Sequence, residues 1–192
     1  MIELIPDSYV ARLDLLKIFG RSAPLQVDLG CGDGAFLLAL AESMPGKDFL
    51  GIERTAHRVA KACRKAAKVS NMRVLHLESQ YAVEYLLPAR SVEVFHLLFP
   101  DPWPKRRHWP RRTVTQGFLE AIWSALLANG VLRIATDDRD YFNSIRLLAK
   151  QSRDFTTIEM NGKFPPSTFE RRFREQNVEV YRLVLRKVSP VT

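Results

Sequence analysis

The sequence has few of the features that mark secreted, metal-dependent or membrane-spanning proteins. Its 192 residues include only two cysteines, Cys31 and Cys63, which lack metal-ligand spacing and are too few for a disulfide framework. Four histidines are scattered, and His96, inside an apolar run, is expected in the core. No apolar run could span a bilayer, and the N-terminus lacks a basic start followed by an apolar core. We therefore expect a cytoplasmic protein without a signal peptide, membrane anchor or metal site.

Acidic residues are scarce relative to basic ones in the second half of the chain. Residues 1–100 contain 12 Lys and Arg against 11 Asp and Glu, whereas residues 101–192 contain 17 against 10. By this division the positive charge begins at residue 101. Such asymmetry favours a polyanionic partner, nucleic acid ahead of an anionic membrane, over a merely solvated basic surface.

Long structureless stretches, repeats and clear linkers are also absent, so we expect one domain over residues 1–192. Short apolar runs such as LQVDLG and DFLGIE alternate with amphipathic runs such as GAFLLALAESM. This alternation predicts an α/β fold with a mostly parallel sheet and helices on both faces. A helix is predicted at about residues 8–19, capped by Ser8, and another from Thr115 to Ala128. Near the C-terminus, FTTIEMN and EVYRLVLRKV predict two strands without an intervening helix, which add an antiparallel pair to one edge.

A glycine-rich turn follows the first long apolar run. VDLGCGDGAF places Gly30 and Gly32 between a predicted strand and helix, where glycine permits a tight turn and close approach of a ligand. Glu53 ends the next strand, 23 residues after Gly30. A carboxylate there can accept both hydroxyls of a ribose, as it does in nicotinamide and in S-adenosylmethionine enzymes.

Acids around this turn favour S-adenosylmethionine over a nicotinamide. Asp33 lies at the helix start, where its negative charge disfavours a pyrophosphate but tolerates a cationic sulfonium. Asp28 could face the cofactor's ammonium group, and Glu78, after the third strand, could accept from the adenine amino group. Since strand ends of a parallel sheet meet at one edge, these acids are predicted to share a site.

The stretch LFPDPWPKRRHWPRR, from Leu98 to Arg112, sets one carboxylate beside five cations and two tryptophans. Its prolines argue against a helix or strand. Asp101, held between two prolines, is predicted to contact a ligand. The cations of the segment (Lys105, Arg106, Arg107, Arg111 and Arg112) are predicted to hold phosphates, with simple solvation as the alternative for Arg111 and Arg112. Trp103 or Trp109 either stacks on an extruded base or packs under the loop.

These motifs are together similar to those of bacterial tRNA (guanine-N7)-methyltransferases. ATD at Ala135 to Asp137 and STFERRF at Ser167 to Phe173 also match, in the same order, and the resemblance runs from about Leu25 to about Arg186. It implies a Rossmann-like class I methyltransferase fold and S-adenosylmethionine as the methyl donor. The implied acceptor is N7 of a guanine in the tRNA variable loop. No obligate protein partner is inferred.

The resemblance also assigns roles by position. It implies that Asp101 is catalytic and that the cofactor is bound by Asp28, Gly30, Gly32, Glu53, Glu78 and Asp101. The implied substrate-binding residues are Lys105, Arg106, Arg107, Asp137, Ser167, Thr168, Phe169 and Glu170. The family usually has Thr where this chain has Ser167, which keeps the hydroxyl.

Two rival functions stay open at this point. An amino-methyltransferase acting on an exocyclic base nitrogen of DNA or RNA uses an acid or Asn, two prolines and an aromatic at the same strand end, and DPW is a near match. A non-enzymatic nucleic-acid-binding module with a vestigial cofactor site is the second rival. The basic cluster and STFE oppose the first, and the intact glycine turn opposes the second.

Overall fold

The short apolar runs form strands, and the amphipathic runs form helices. The computed structural model describes residues 2–159, 165 and 167–188. Its strands are β1 (Glu3–Leu4), β2 (Leu25–Leu29), β3 (Asp48–Glu53), β4 (Met72–His76), β5 (Val92–Leu98), β6 (Leu126–Thr136), β7 (Phe155–Ile158) and β8 (Tyr181–Lys187). Its α-helices are α1 (Leu15–Phe19), α2 (Ala35–Ser43), α3 (Ala56–Ala66), α4 (Ser79–Tyr81), α5 (Gln116–Ala125), α6 (Arg139–Gln151) and α7 (Thr168–Glu175), with a π-helix at Ala82–Leu86 and a 3₁₀-helix at Arg106–Arg111.

The strands form one sheet in the order β1-β4-β3-β2-β5-β6-β8-β7. The pairs from β1 to β6 are parallel, whereas β8 pairs antiparallel with both β6 and β7. The mostly parallel sheet with an antiparallel C-terminal pair is therefore confirmed. From β2 the chain adds β3 and then β4 on one side, and it then crosses back to add β5 and β6 on the other side of β2. Open sheets of this kind bind ligands beyond the carboxyl ends of the strands at such a point of reversal.

Side chains of successive strand residues alternate between two buried clusters. Val27 and Leu50 belong to the larger cluster, which also contains the apolar faces of α5 and α6. Phe49 and Val74 belong to a second cluster with residues of α2 and α3. Because adjacent residues of a strand point to opposite faces, helices cover both faces of the sheet, as predicted.

His96 of β5 is a core residue, which confirms the sequence-based interpretation. It is completely buried, and its Nε2 donates to Oε1 of Gln26 at 3.0 Å. Its Nδ1 accepts from Arg133 at 3.2 Å. Burial, and then the Arg133 charge, lower the pKa of His96 well below its ordinary value, so the ring is neutral.

The N-terminal region departs from the prediction in two ways. The helix covers only Leu15–Phe19 rather than residues 8–19, because Asp14, not Ser8, caps it by accepting from the Lys17 amide at 3.0 Å. Upstream of the helix, the Leu13 amide donates a hydrogen bond to the Leu86 carbonyl at 2.8 Å. The sequence also gave no sign of β1, a two-residue edge strand too short to show periodicity.

Two boundaries in the second half were also predicted wrongly. Helix α5 ends at Ala125 rather than Ala128, because Leu126 already pairs with Val92 in the sheet. Helix α7 separates the last two strands, where no helix was expected. The chain therefore leaves the sheet after β7 and returns through α7 before β8 is inserted between β6 and β7.

Candidate active site

The carboxyl ends of the central parallel strands open onto a cavity of about 1090 Å³. Its lining contains seven of the predicted site residues: Asp28, Gly30, Gly32, Glu53, Glu78, Asp101 and Ser167. Five others lie outside the lining: Lys105, Arg106, Arg107, Asp137 and Glu170. The side chains of the remaining two, Thr168 and Phe169, fall outside the described part of the chain.

The loop between β2 and α2 leaves open space against its backbone. Gly30 and Gly32 adopt left-handed φ angles of 78° and 57°, which glycine tolerates without a Cβ clash. A Cβ at either position would meet no protein atom within 4 Å. The space beside these two residues belongs to the cavity and would be partly filled by any side chain there. A ligand can therefore approach this backbone closely.

Glu53 ties the glycine loop to the end of β3. It is only 4% exposed, and its carboxylate accepts from the Gly32 amide at 3.0 Å and from the Thr55 amide at 2.8 Å. One oxygen serves each amide. A carboxylate has about four lone-pair sites, so each oxygen keeps acceptor capacity for a ligand hydroxyl.

Asp28 adds a second buried carboxyl beside Glu53. It is 3% exposed, and burial together with the Glu53 charge raises its pKa to about 7. Across the loop, Asp33 is paired with Lys65, and this pairing lowers the pKa of Asp33 although burial opposes it. The cavity floor therefore holds carboxyl groups whose ionisation a cationic ligand would favour.

Glu78 lies at the rim rather than the floor. Its side chain is exposed and caps α4 by accepting from the amides of Gln80 and Tyr81 at 2.9 and 2.8 Å. The predicted contact with an adenine amino group would have to share these oxygens. The adenine contact of Glu78 therefore stays a prediction. It is compatible with the place of Glu78 in the cavity lining.

Asp101 lies on a strained loop that follows β5. Phe99 and Trp103 on either side of it have left-handed φ angles of 55° and 46°, which are unusual for aromatic residues. The Phe99 amide fixes the start of the loop by donating to Ala135 of β6 at 2.7 Å. Strain of this kind persists where the surrounding structure over-determines the backbone, and it concentrates at functional sites.

The Asp101 carboxylate projects into the mouth of the cavity. Its side chain is 68% exposed, and an Arg54 nitrogen lies 3.6 Å from it. Arg54 is itself 69% exposed and follows Glu53 directly in sequence. An exposed ion pair of this length contributes little to stability. Asp101 is therefore accessible to a ligand that enters from the solvent side.

The expectation that prolines keep the basic segment free of helix is wrong for Arg106–Arg111, a short 3₁₀-helix that contains Pro110. Some of its cations lie over aromatic rings. Arg111 lies over the Trp103 ring at 5.0 Å, and Arg106 lies near the Trp109 ring at 5.7 Å. Trp103 also lines the cavity, whereas Trp109 does not. Of the two tryptophans, Trp103 is thus the one placed beside the cavity.

The alternative that Arg112 is merely a solvated cation is wrong, because its side chain is buried in the lining of the cavity. This side chain is 8% exposed and lies 4.7 Å from the centroids of both Trp109 and Tyr141. It also donates to the Pro102 carbonyl at 2.8 Å and to the Ser144 hydroxyl at 3.2 Å. Arg112 therefore supports the loop from beneath. Lys105, Arg106, Arg107 and Arg111 are exposed.

Helix α7 is attached to the rim near Asp101. The Ser167 hydroxyl accepts from the Glu170 amide at 3.1 Å, so Ser167 begins the helix and also lines the cavity. Glu170 forms an ion pair with Arg182 of β8. Phe173 packs against Phe99 with ring centroids 5.1 Å apart. Asp137 is exposed beyond the end of β6, at the same edge of the sheet.

Three basic side chains of this site escaped the sequence interpretation. Arg54, Arg58 and Lys61 line the cavity beside His57. They follow β3, whereas the basic 3₁₀-helix follows β5, and β2 lies between these two strands. The signal that identifies them is a run without acids after Glu53, which an average over the first hundred residues conceals.

Within residues 2–159, 165 and 167–188, no group of three His, Cys, Asp or Glu side chains is arranged to hold a metal ion. None of the helices in that part of the chain is long and apolar enough to cross a membrane.

Comparisons of the sequence find a family and close relatives. The family model described as "Putative methyltransferase" matches residues 22–183. A tRNA (guanine-N(7)-)-methyltransferase of Halorhodospira halophila is 35% identical over 91% of this chain and 79% of its own length. One of Leifsonia xyli subsp. xyli is 37% identical over 91% and 81%. One of Thermotoga maritima is 34% identical over 97% of this chain, which spans 62% of that protein.

Solved structures with the same fold have little sequence in common with the chain. The 16S rRNA methyltransferase KamB matches with a TM-score of 0.65 at 14% identity, over 93% of this chain and 95% of KamB. The aminoglycoside resistance methyltransferase NpmB1 matches with a TM-score of 0.62 at 17% identity, over 91% and 92%. These likenesses confirm the Rossmann-like methyltransferase fold that the sequence predicted.

Proposed function

Because this chain belongs to the family of tRNA (guanine-N7)-methyltransferases, we propose that it transfers a methyl group from S-adenosylmethionine to N7 of a guanine in the variable loop of tRNA. One observation carries the proposal. A single cavity has buried carboxyls, Asp28 and Glu53, on its floor and an exposed carboxylate, Asp101, at its mouth, followed by cations and tryptophans. The floor suits a cationic small molecule and the mouth suits a nucleic acid.

The floor fits S-adenosylmethionine through charge and space. Asp28 would face the ammonium group, and its ionised form is the one that a cation stabilises. Glu53 would accept the ribose hydroxyls with the lone pairs that its two amide contacts leave. Gly30 and Gly32 would admit the cofactor close to the backbone. When bound, S-adenosylmethionine supplies an electrophilic methyl group on a positively charged sulfur.

The acceptor atom explains why no histidine or cysteine serves as a base in the proposed mechanism. Guanine N7 carries a lone pair and no proton, so no side chain has to remove one. The protein has to align N7 with the methyl–sulfur bond and exclude water. As the carbon–sulfur bond breaks and the N7–carbon bond forms, positive charge passes to the purine ring. Asp101 would stabilise that charge and accept from the guanine N1–H and amino group, which adenine cannot match.

The cations beyond Asp101 would position the RNA. Lys105, Arg106 and Arg107 are exposed, and none of them forms an ion pair with a carboxylate within the described residues. Phosphate contacts fix register without reading sequence. Lys105, nearest Asp101 in the chain, would hold the phosphate of the target nucleotide itself. Trp103 would lie against the extruded base, because it lines the cavity.

Residues of the α7 region would complete the substrate side. Ser167 lines the cavity, and the family positions imply substrate contacts for Ser167, Thr168, Phe169 and Glu170. Glu170 would serve by holding α7 to β8 through Arg182. Asp137, exposed at the same edge, would contact the RNA or its target nucleotide. We also propose that residues 1–192 act as one domain and that the protein works in the cytoplasm, where its proposed substrate resides.

Nucleoside analysis tests the proposed function against both rivals. Unmodified tRNA is incubated with methyl-labelled S-adenosylmethionine, digested and separated into nucleosides. The label is expected in 7-methylguanosine. Label in N6-methyladenosine would support an amino-methyltransferase instead. Failure of the protein to bind S-adenosylhomocysteine in calorimetry would support a binding module with a vestigial cofactor site.

A further inference from the structure

A second basic region lies in the first half of the chain. Residues 54–77 contain seven Lys and Arg and no Asp or Glu, whereas the rest of the first hundred residues contains five Lys and Arg and eleven Asp and Glu. The near balance of the first half thus hides a basic block. The sequence-based conclusion that positive charge begins at residue 101 was incomplete.

The fold displays this block on one helix. In α3, Val59, Ala62 and Ala66 are buried against the second core cluster. The α3 basic face, which we define as Arg58, Lys61, Arg64 and Lys68, is exposed on the other side and just beyond the helix end. These residues recur at intervals of three or four, so they lie on one side of the helix over about 15 Å of its axis.

The α3 basic face forms no ion pair within the described residues, although the charge of Lys61 helps to lower the pKa of Asp33. Lys65, next to it, is paired with Asp33, but none of the four cations of the face has a carboxylate within ion-pair distance. Helix α6 differs, because two acids, Asp138 and Asp140, stand beside its three cations, Arg139, Arg146 and Lys150. The exposed side of α3 therefore carries charge of one sign, whereas α6, on the other face of the sheet, carries both signs.

The position of the face relates it to the proposed reaction. Arg58 and Lys61 line the cavity whose mouth holds Asp101, and Arg111 lines the same cavity from the 3₁₀-helix. Arg64 and Lys68 continue the face down α3, away from the cavity. Two basic surfaces thus flank the point where a base would enter.

We propose that the α3 basic face is a second phosphate-binding surface for the same RNA, which holds the backbone on the rim opposite Lys105, Arg106 and Arg107. This inference rests on the proposed function for the identity of the RNA as tRNA. A polyanion that crosses the cavity mouth meets cations on both rims, so the backbone is held on each side of the extruded nucleotide. The contacts contribute affinity and register and no base specificity.

A double variant with a matched control tests the proposal. Arg58→Ala with Lys61→Ala removes two charges from the face. Arg153→Ala with Arg186→Ala removes two exposed charges near the far edge of the sheet, where Arg186 of β8 pairs with Val131 of β6 and Thr156 of β7. The affinity for unmodified tRNA is measured from about 50 to 200 mM salt, a range over which phosphate contacts dominate its change. Affinity for S-adenosylhomocysteine is measured in parallel.

The α3 variant is expected to flatten the plot of log affinity against log salt by roughly 1.5 units, since each lost phosphate contact removes about 0.7 to 0.9. The control variant should leave the slope unchanged, and the conservative exchange of Arg58→Lys with Lys61→Arg should restore it. Affinity for S-adenosylhomocysteine should be unaffected throughout.

Two results would overturn the proposal. An unchanged slope in the α3 variant would make the face a solvated surface. A parallel loss of S-adenosylhomocysteine affinity with the slope intact would assign Arg58 and Lys61 to the cofactor. Failure of the proposed function would instead appear as an absence of 7-methylguanosine from the wild-type reaction, which these binding measurements do not use.

Discussion

The floor and the mouth of the cavity hold their carboxylates in opposite ways. On the floor, Asp28 and Glu53 are almost completely buried at the ends of neighbouring strands. At the mouth, Asp101 is 68% exposed on an irregular loop that is supported from beneath by Arg112. The carboxylates of the floor thus belong to the buried strands of the sheet, whereas the carboxylate of the mouth belongs to an exposed loop packed against the sheet. Substitutions at the floor should alter cofactor binding and stability together, and most substitutions at the mouth should alter only reaction rate or RNA binding.

Substitution of Asp101 is expected to show the difference between the two regions most clearly, because it should reduce turnover far more than cofactor affinity. Asp101→Asn keeps the size of the side chain but presents a donor where guanine also donates. Turnover at saturating tRNA should fall by about 10²- to 10³-fold, the scale for losing one electrostatic contact to the transition state. The affinity for S-adenosylhomocysteine should fall far less. Near-normal methylation in this variant would show that Asp101 neither orients guanine nor stabilises the ring.

At the floor, Glu53→Ala should weaken cofactor binding by about 1–3 kcal/mol, because ligand hydroxyls lose their acceptor. The same change leaves the Gly32 and Thr55 amides without their acceptor, so the melting temperature should fall as well. Calorimetry and thermal unfolding measure the two effects. Asp101→Asn, whose melting temperature should be unchanged, is the control, and an unchanged cofactor affinity in folded Glu53→Ala would remove the ribose assignment.

Within the mouth itself, Arg112 and Arg107 should behave differently although both are arginines in one segment. Arg112→Ala should destabilise the fold by about 1–3 kcal/mol, since it removes hydrogen bonds from a charged donor and two cation–aromatic contacts. Arg107→Ala should leave stability unchanged and flatten the salt dependence of tRNA binding by about 0.7 to 0.9 units. Chemical denaturation and salt titrations distinguish them; equal stability of the two variants would contradict the buried role of Arg112.

The smallest effect is expected from pH at the floor. The pKa of Asp28 is raised to about 7 from an ordinary value of 3.8, so the free protein loses stability from this group as the pH rises through that interval. In the free protein burial favours the protonated form of Asp28, whereas a bound cationic cofactor favours the ionised form. Affinity for S-adenosylmethionine should therefore fall as the pH drops below 7, by at most tenfold per unit. Calorimetry at pH 6 and 8 measures it, and an equally strong dependence in Asp28→Asn would exclude Asp28 as its origin.

The sequence predicted the floor better than the mouth, for a physical reason. Strand and helix periodicity is local, so alternation gave the parallel sheet and placed Gly30, Gly32 and Glu53 at adjoining strand ends. The burial of Arg112 depends on Tyr141 and Ser144, which lie about thirty residues away and meet it only in the fold. Sequence position alone made it resemble its exposed neighbours.

Tertiary pairing also decided the elements that the sequence missed. Strand β1 has two residues and exists because β4 offers an edge to pair with. Helix α7 lies on a polar segment in which Glu170 pairs with β8, so tertiary contact rather than apolar periodicity defines its place. The run TAHRVAKACRKAAKVS shows a basic side in the sequence, but only the fold places Arg58 and Lys61 in the lining of the cavity.

The most direct test of the account replaces the target guanine of the tRNA by 7-deazaguanine. This base keeps the N1–H and amino group that Asp101 is proposed to bind, and it lacks only the nitrogen that is proposed to accept the methyl group. Binding of the substituted tRNA should equal that of the unmodified tRNA, and methyl transfer to it should be abolished. Transfer of label to the 7-deazaguanine tRNA at the normal rate would contradict the assignment of N7 as the acceptor.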